Sequence, residues 1–136
     1  MPVPIKNIAI TDFEFTGLDP LQHEIIEVGV IVVDGKTMQE ITRFEVKIKP
    51  THLETASGES LAVAGYKEID WENALTLQDA LTKYLSITQN CIFAAWCSPY
   101  DWIFLLEAFK KTQLQNPFGH RSIDIFTVAY EKLKNN

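Results

Sequence analysis

With 136 residues, 46% of them hydrophobic and 22% charged, the chain has the make-up of one soluble globular domain that can bury a core without staples. Its two cysteines, Cys91 and Cys97, lack C-x-x-C spacing, which argues against a disulfide framework and fits a reducing compartment, the cytoplasm. The net charge of −6 argues against holding nucleic acid on a broad basic surface, no uncharged run can span a bilayer, and the first six residues carry no apolar signal region.

Residues 5–15 read as a strand, with Ile8, Ile10, Asp12 and Glu14 on one face by alternation. Residues 17–20 form a loop, and the Ile- and Val-rich residues 24–34 form a second strand. Asp34-Gly35 signals a hairpin turn into a third strand at residues 41–48, which Pro50 ends. Residues 51–71 are irregular, with one short helical turn at 60–64. Residues 76–85 fit an amphipathic helix with Thr76 as N-cap. The apolar run 91–96 reads as a buried parallel strand. Ser98, as N-cap, opens a helix with Pro99 at its first position that runs to residue 112. Residues 121–123 form a short strand, and 125–133 a last helix. The fold class is therefore α/β: a mixed sheet, three antiparallel strands then parallel ones, flanked by helices.

Asp12 and Glu14 lie two residues apart, so both carboxylates share a face at a strand end. Side by side they resist ionising together, and a divalent cation removes that penalty. Hard oxygen donors suit Mg²⁺ or Mn²⁺. Simple solvation of a strand end is the other reading of the pair.

Thr11-Asp12-Phe13-Glu14-Phe15-Thr16-Gly17-Leu18-Asp19-Pro20, followed by His23-Glu24-Ile25-Ile26-Glu27-Val28-Gly29 and Val32-Val33-Asp34, resembles the first motif of the DEDD 3′–5′ exonucleases. Oligoribonucleases, ribonuclease T and polymerase proofreading domains belong to that superfamily. Ser98-Pro99-Tyr100-Asp101-Trp102-Ile103 resembles its second motif, with Trp96-Cys97 where many members carry His-Asn. The resemblance implies a ribonuclease-H-like fold and metal ligands Asp12, Glu14 and Asp101. It further implies two-metal hydrolysis of phosphodiester bonds at the 3′ end of single-stranded RNA or DNA. Backbone near Thr16 would meet the 3′ hydroxyl, and Leu18 would pack on the terminal base. Asp101 near a helix start equally favours the helix dipole, and Leu18 equally serves as a loop anchor.

The family's third motif, a late Asp preceded by a His or Tyr base, has no counterpart. His120 stands four before Asp124, but Arg121-Ser122-Ile123-Asp124 resembles the family's short strand, so His120 reads as a loop residue. The expectation is one domain over residues 1–136 that lacks its last helix, is weakly active, and exposes an apolar face for self-association. Glu27, facing a buried strand, reads as a hydrogen-bonding support, and Phe13, Phe15, Trp102, Phe104 and Phe109 as core. Two alternatives stand beside this reading. One is an inactive exonuclease-like binding domain. The other is a haloacid-dehalogenase-like phosphatase, which Glu14 and the antiparallel strands fit poorly.

Overall fold

The computed structural model describes residues 2–135. Strands β1 (Asn7–Phe15), β2 (Ile25–Val33) and β3 (Glu40–Lys47) form an antiparallel meander. A 3₁₀ turn at Leu53–Thr55, helix α1 (Gly58–Ala64) and a second 3₁₀ turn at Glu68–Trp71 follow. Then come α2 (Leu77–Thr88), β4 (Cys91–Ala95), α3 (Ser98–Thr112), β5 (Ser122–Asp124) and α4 (Ile125–Leu133). The sheet order is β3-β2-β1-β4-β5, with β4 parallel to β1 and β5 parallel to β4. This is the expected mixed sheet.

Alternation sorts the two faces of the sheet. Ala9, Thr11 and Phe13 of β1 are buried, and they stand opposite Val32, Val30 and Val28 of β2. With Leu81 and Tyr84 of α2 and Phe104 and Leu105 of α3, the apolar members of this layer build one core. The Tyr84 hydroxyl, at the centre, meets the Thr11 hydroxyl at 2.8 Å. Phe13, Phe104 and Phe109 are buried as expected, and Phe15 and Trp102 pack against the core, Phe15 stacking on Phe104 at 4.0 Å between ring centroids. The other face carries Ile10 and Asp12 beside Gly29 and Ile31, over a depression of about 350 Å³.

The hairpin that Asp34-Gly35 signals does join β2 to β3. Asp34 Oδ1 accepts the N–H groups of Lys36 and Thr37, and the left-handed residue is Met38, at φ 60°. Gly35 is needed for another reason, since a Cβ there would run into the Lys6 carbonyl. The N-cap of α3 is Cys97, not Ser98. Cys97 sits at φ 57° with no capping side chain of its own. The cap comes from β5, where Asp124 Oδ1 accepts the Ser98 N–H at 2.9 Å. Glu27 is half-buried, opposite Glu14 in register and 3.8 Å from Lys47. The helical turn expected at 60–64 is longer at its start, because Ser57 caps α1 by accepting the Ser60 N–H.

Candidate active site

Strand β1 outruns β4. The β4 pairing ends at Ile10 opposite Ala94, while β1 continues to Phe15. Beyond that point β1 has no neighbour on its β4 side, and a backbone donor there needs a partner. Asp101, in the first turns of α3, supplies one by accepting the Phe13 N–H. The carboxylate is 6% exposed and lies within electrostatic reach of Asp12 and Glu14. Burial, then the Asp12 charge, push its pKa up to about 7, with Glu14 adding a smaller push. Burial also raises Asp12, and burial with the Asp12 charge raises Glu14. Three carboxylates from β1 and α3 thus bear on one another.

Among the described residues no group of three or more His, Cys, Asp or Glu side chains is arranged so that it could hold a metal ion. The oxygen donors present suit a hard cation, and their mutual repulsion is what such a cation relieves.

Thr16 is wholly buried. Its N–H donates to the Glu24 carbonyl, its hydroxyl accepts the Glu24 N–H at 2.9 Å, and its carbonyl accepts the Ser57 N–H. Leu18 is 66% exposed and overhangs an apolar depression of about 310 Å³, lined also by Pro20, Pro99, Tyr100, Ile103 and Phe104. Leu18 belongs to the segment that leaves the carboxylate-bearing end of β1.

Asp124 is committed elsewhere. One oxygen accepts the Ser98 N–H, and the other accepts the Thr127 N–H and hydroxyl, so it caps both α3 and α4. These bonds, the Thr127 hydroxyl first, hold its carboxyl below the usual range. His120 is exposed in the turn before β5, matching its reading as a loop residue. Sequence reasoning missed His23, His52 and Glu24. Glu24 accepts the N–H groups of Thr51 and His52, and both imidazoles bond backbone carbonyls across loops. No local pattern marked them, because their partners lie about 30 residues away.

The exonuclease family model, RNase_T, matches residues 9–136. The chain belongs to the RNase_T exonuclease family. It is thereby a member of the DEDD superfamily, with the ribonuclease-H-like fold. The PolC-type DNA polymerase III of Thermotoga petrophila is 33% identical over 132 residues, covering 94% of this chain and 9% of that protein. Its counterpart in Thermotoga maritima is 31% identical, again over 94% of this chain and 9% of that protein. The chain therefore spans less than a tenth of the length of these curated relatives. Among solved structures, the nuclease domain of 3′hExo, a DEDDh family member bound to rAMP, shares 22% identity and a TM-score of 0.75, over 96% of this chain and 71% of that one. E. coli Exonuclease I in complex with a dT13 oligonucleotide shares 13% identity and a TM-score of 0.78, over 96% of this chain and 30% of that one. At these identities the likeness speaks for the fold alone. Membership in this family sets aside the phosphatase alternative.

Proposed function

We propose that this exonuclease-family domain hydrolyses phosphodiester bonds at nucleic-acid 3′ ends, with Asp12, Glu14 and Asp101 as ligands of divalent metal. The observation that carries the reading is that the carboxylates of Asp12, Glu14 and Asp101, from the end of β1 and the start of α3, lie close enough for their charges to act on one another. When bound, a pair of Mg²⁺ or Mn²⁺ ions would supply charge stabilisation and an acidified water. Asp101 must give up its proton to serve as a ligand, and a cation near Asp12 favours that loss. Thr16, buried and pinned by three hydrogen bonds, anchors the adjoining backbone that the terminal sugar would meet, and the Leu18 depression offers an apolar bed for its base.

The described histidines supply no ready base. His23 and His52 have both ring nitrogens engaged, and His120 is exposed. A base is commonly worth about 10²–10⁴-fold, so weak hydrolysis by residues 1–136 is expected. The two unpaired cysteines support a cytoplasmic setting. A second reading, a binding domain that does not cut, is favoured by the capping role of Asp124, which leaves three carboxylates for the site. On α4, Phe126, Tyr130 and Leu133 share an exposed face, with Phe126 against Trp96 and Tyr130, and we assign this face to contact with a second copy.

The test is a 5′-labelled single-stranded RNA or DNA with Mn²⁺, this chain, any natural extension beyond residue 136, and Asp12→Ala. Slow 3′ trimming that Asp12→Ala abolishes, faster with the extension, is expected. Tight binding of the strand without cleavage by either length would establish the second reading.

A further inference from the structure

The loop that carries Leu18 is folded around an imidazole. His23 Nδ1 accepts the Asp19 N–H at 2.9 Å, and His23 Nε2 lies 3.0 Å from the Thr55 carbonyl oxygen. A carbonyl can only accept, so Nε2 carries the proton and Nδ1 is bare. The ring lies directly against Gly17, where a Cβ would overlap it. One side chain therefore fixes residues 17–19 and ties them to the 3₁₀ turn at Leu53–Thr55.

That arrangement tolerates one protonation state. A proton added to Nδ1 would face the Asp19 N–H, donor against donor, and the bond would be lost. His52 provides an internal contrast. Its Nε2 donates to the Gln22 carbonyl, while its Nδ1 faces the Thr51 hydroxyl at 2.9 Å and Glu24 Oε1 at 3.4 Å. A protonated His52 would donate to Thr51, whose hydroxyl can donate to Glu24. Acid breaks the first contact and suits the second. The charged groups facing His23 are Asp19 on its own loop, Glu54 in the turn it bonds, and Glu24, Lys49, Glu107 and Lys111 with His52 around the small cavity it borders.

We propose that neutral His23 is a positioning residue for the 3′-terminal nucleotide, holding the Gly17–Leu18–Asp19 segment in register for the apolar depression and releasing it on protonation. This rests on the reading of that depression as the seat of the terminal base. His23 touches no reacting atom, so its loss should appear in affinity and KM more than in kcat.

Two measurements separate the parts. The first needs no nucleic acid: ring ¹⁵N shifts of His23 and the exchange protection of the Asp19 amide, followed by NMR from pH 8 to pH 5. The second is the anisotropy of a 5′-labelled single-stranded oligonucleotide at the same pH values, with Ca²⁺ held saturating at each pH so that Asp101 stays ionised throughout. In the wild type, Asp19 protection and strand affinity should both fall about tenfold in step with His23 protonation, the scale of one hydrogen bond lost. His23→Asn, whose amide oxygen can still take the Asp19 N–H, should make both flat with pH. His52→Gln should leave the wild-type dependence in place. Unchanged Asp19 protection while His23 protonates, or a pH dependence that survives in His23→Asn, would overturn the proposal. Loop release with unchanged affinity would overturn the positioning role and leave the exonuclease reading standing. Absence of 3′-end binding in every variant would overturn the seat of the base, and the positioning role with it.

Discussion

The Asp101 carboxylate accepts the backbone N–H of Phe13, so the first turns of α3 are bound to the free end of β1. The bond sets a buried carboxyl beside Asp12 and Glu14, and burial with their charges favours its protonated form. Its pKa of about 7 in the fold lies above its unfolded value. The stability it contributes is thus fully present below the unfolded value and lost as pH rises through about 7. Metal-free protein should be less stable at pH 8 than at pH 5. Asp101→Asn keeps the acceptor for Phe13 and removes the titration. The Asn variant should gain on the wild type across that window by on the order of 2–4 kcal/mol. Urea melts of both proteins at each pH measure it, and a constant difference would refute it.

Cation should reverse that trend. At pH 8, Mn²⁺ at about 100 times its dissociation constant should stabilise the chain by about 2.7 kcal/mol. Asp12→Ala should remove most of the gain, and so should Asp101→Asn. Thermal melts with and without Mn²⁺ check this, and an equal shift in all three proteins would place the metal elsewhere.

Asp124 holds two helix starts with one carboxylate. Asp124→Ala should cost about 1–3 kcal/mol, measured by urea denaturation. Since Asp124 is not assigned to metal, the Mn²⁺ shift of this variant should match the wild type at temperatures where it is folded.

The Tyr84 hydroxyl is buried against Thr11. Burial pushes the phenol well above its ordinary range, so it does not ionise under working conditions. Tyr84→Phe leaves Thr11 its 3.3 Å bond to the Ala9 carbonyl, and the cost should be only about 1 kcal/mol. A loss of metal binding without a stability change would show that this contact reaches the site.

The α4 face should self-associate. Sedimentation should show a concentration-dependent dimer, and Leu133→Glu with Tyr130→Glu should return it to monomer. Both residues are more than half exposed, so the helix itself should persist in circular dichroism.

Much of this molecule is written in short-range pattern. The two-residue period of β1 put Asp12 and Glu14 on one face, the apolar run 91–96 marked β4 (Cys91–Ala95), and Thr76 marked the start of α2, because each signal involves residues within one element. The exonuclease motif around Asp12 rests on the same local spacing. What pattern could not carry was any feature decided by where another strand stops or another loop passes. Asp101 bonds Phe13 because β4 ends at Ala95, short of the end of β1. Cys97 replaces Ser98 as the cap of α3 because Asp124 arrives from β5 with an acceptor. Met38 takes the left-handed position, and Gly35 is kept for the passing Lys6 carbonyl. His23 gains its role only where Gly17 packs against its ring and the Thr55 carbonyl accepts from its Nε2. The sequence alone determined the elements and the paired acids. The protonation of Asp101, the source of the α3 cap and the tautomer of His23 were decided by tertiary structure, since each depends on a hydrogen-bonding partner distant along the chain.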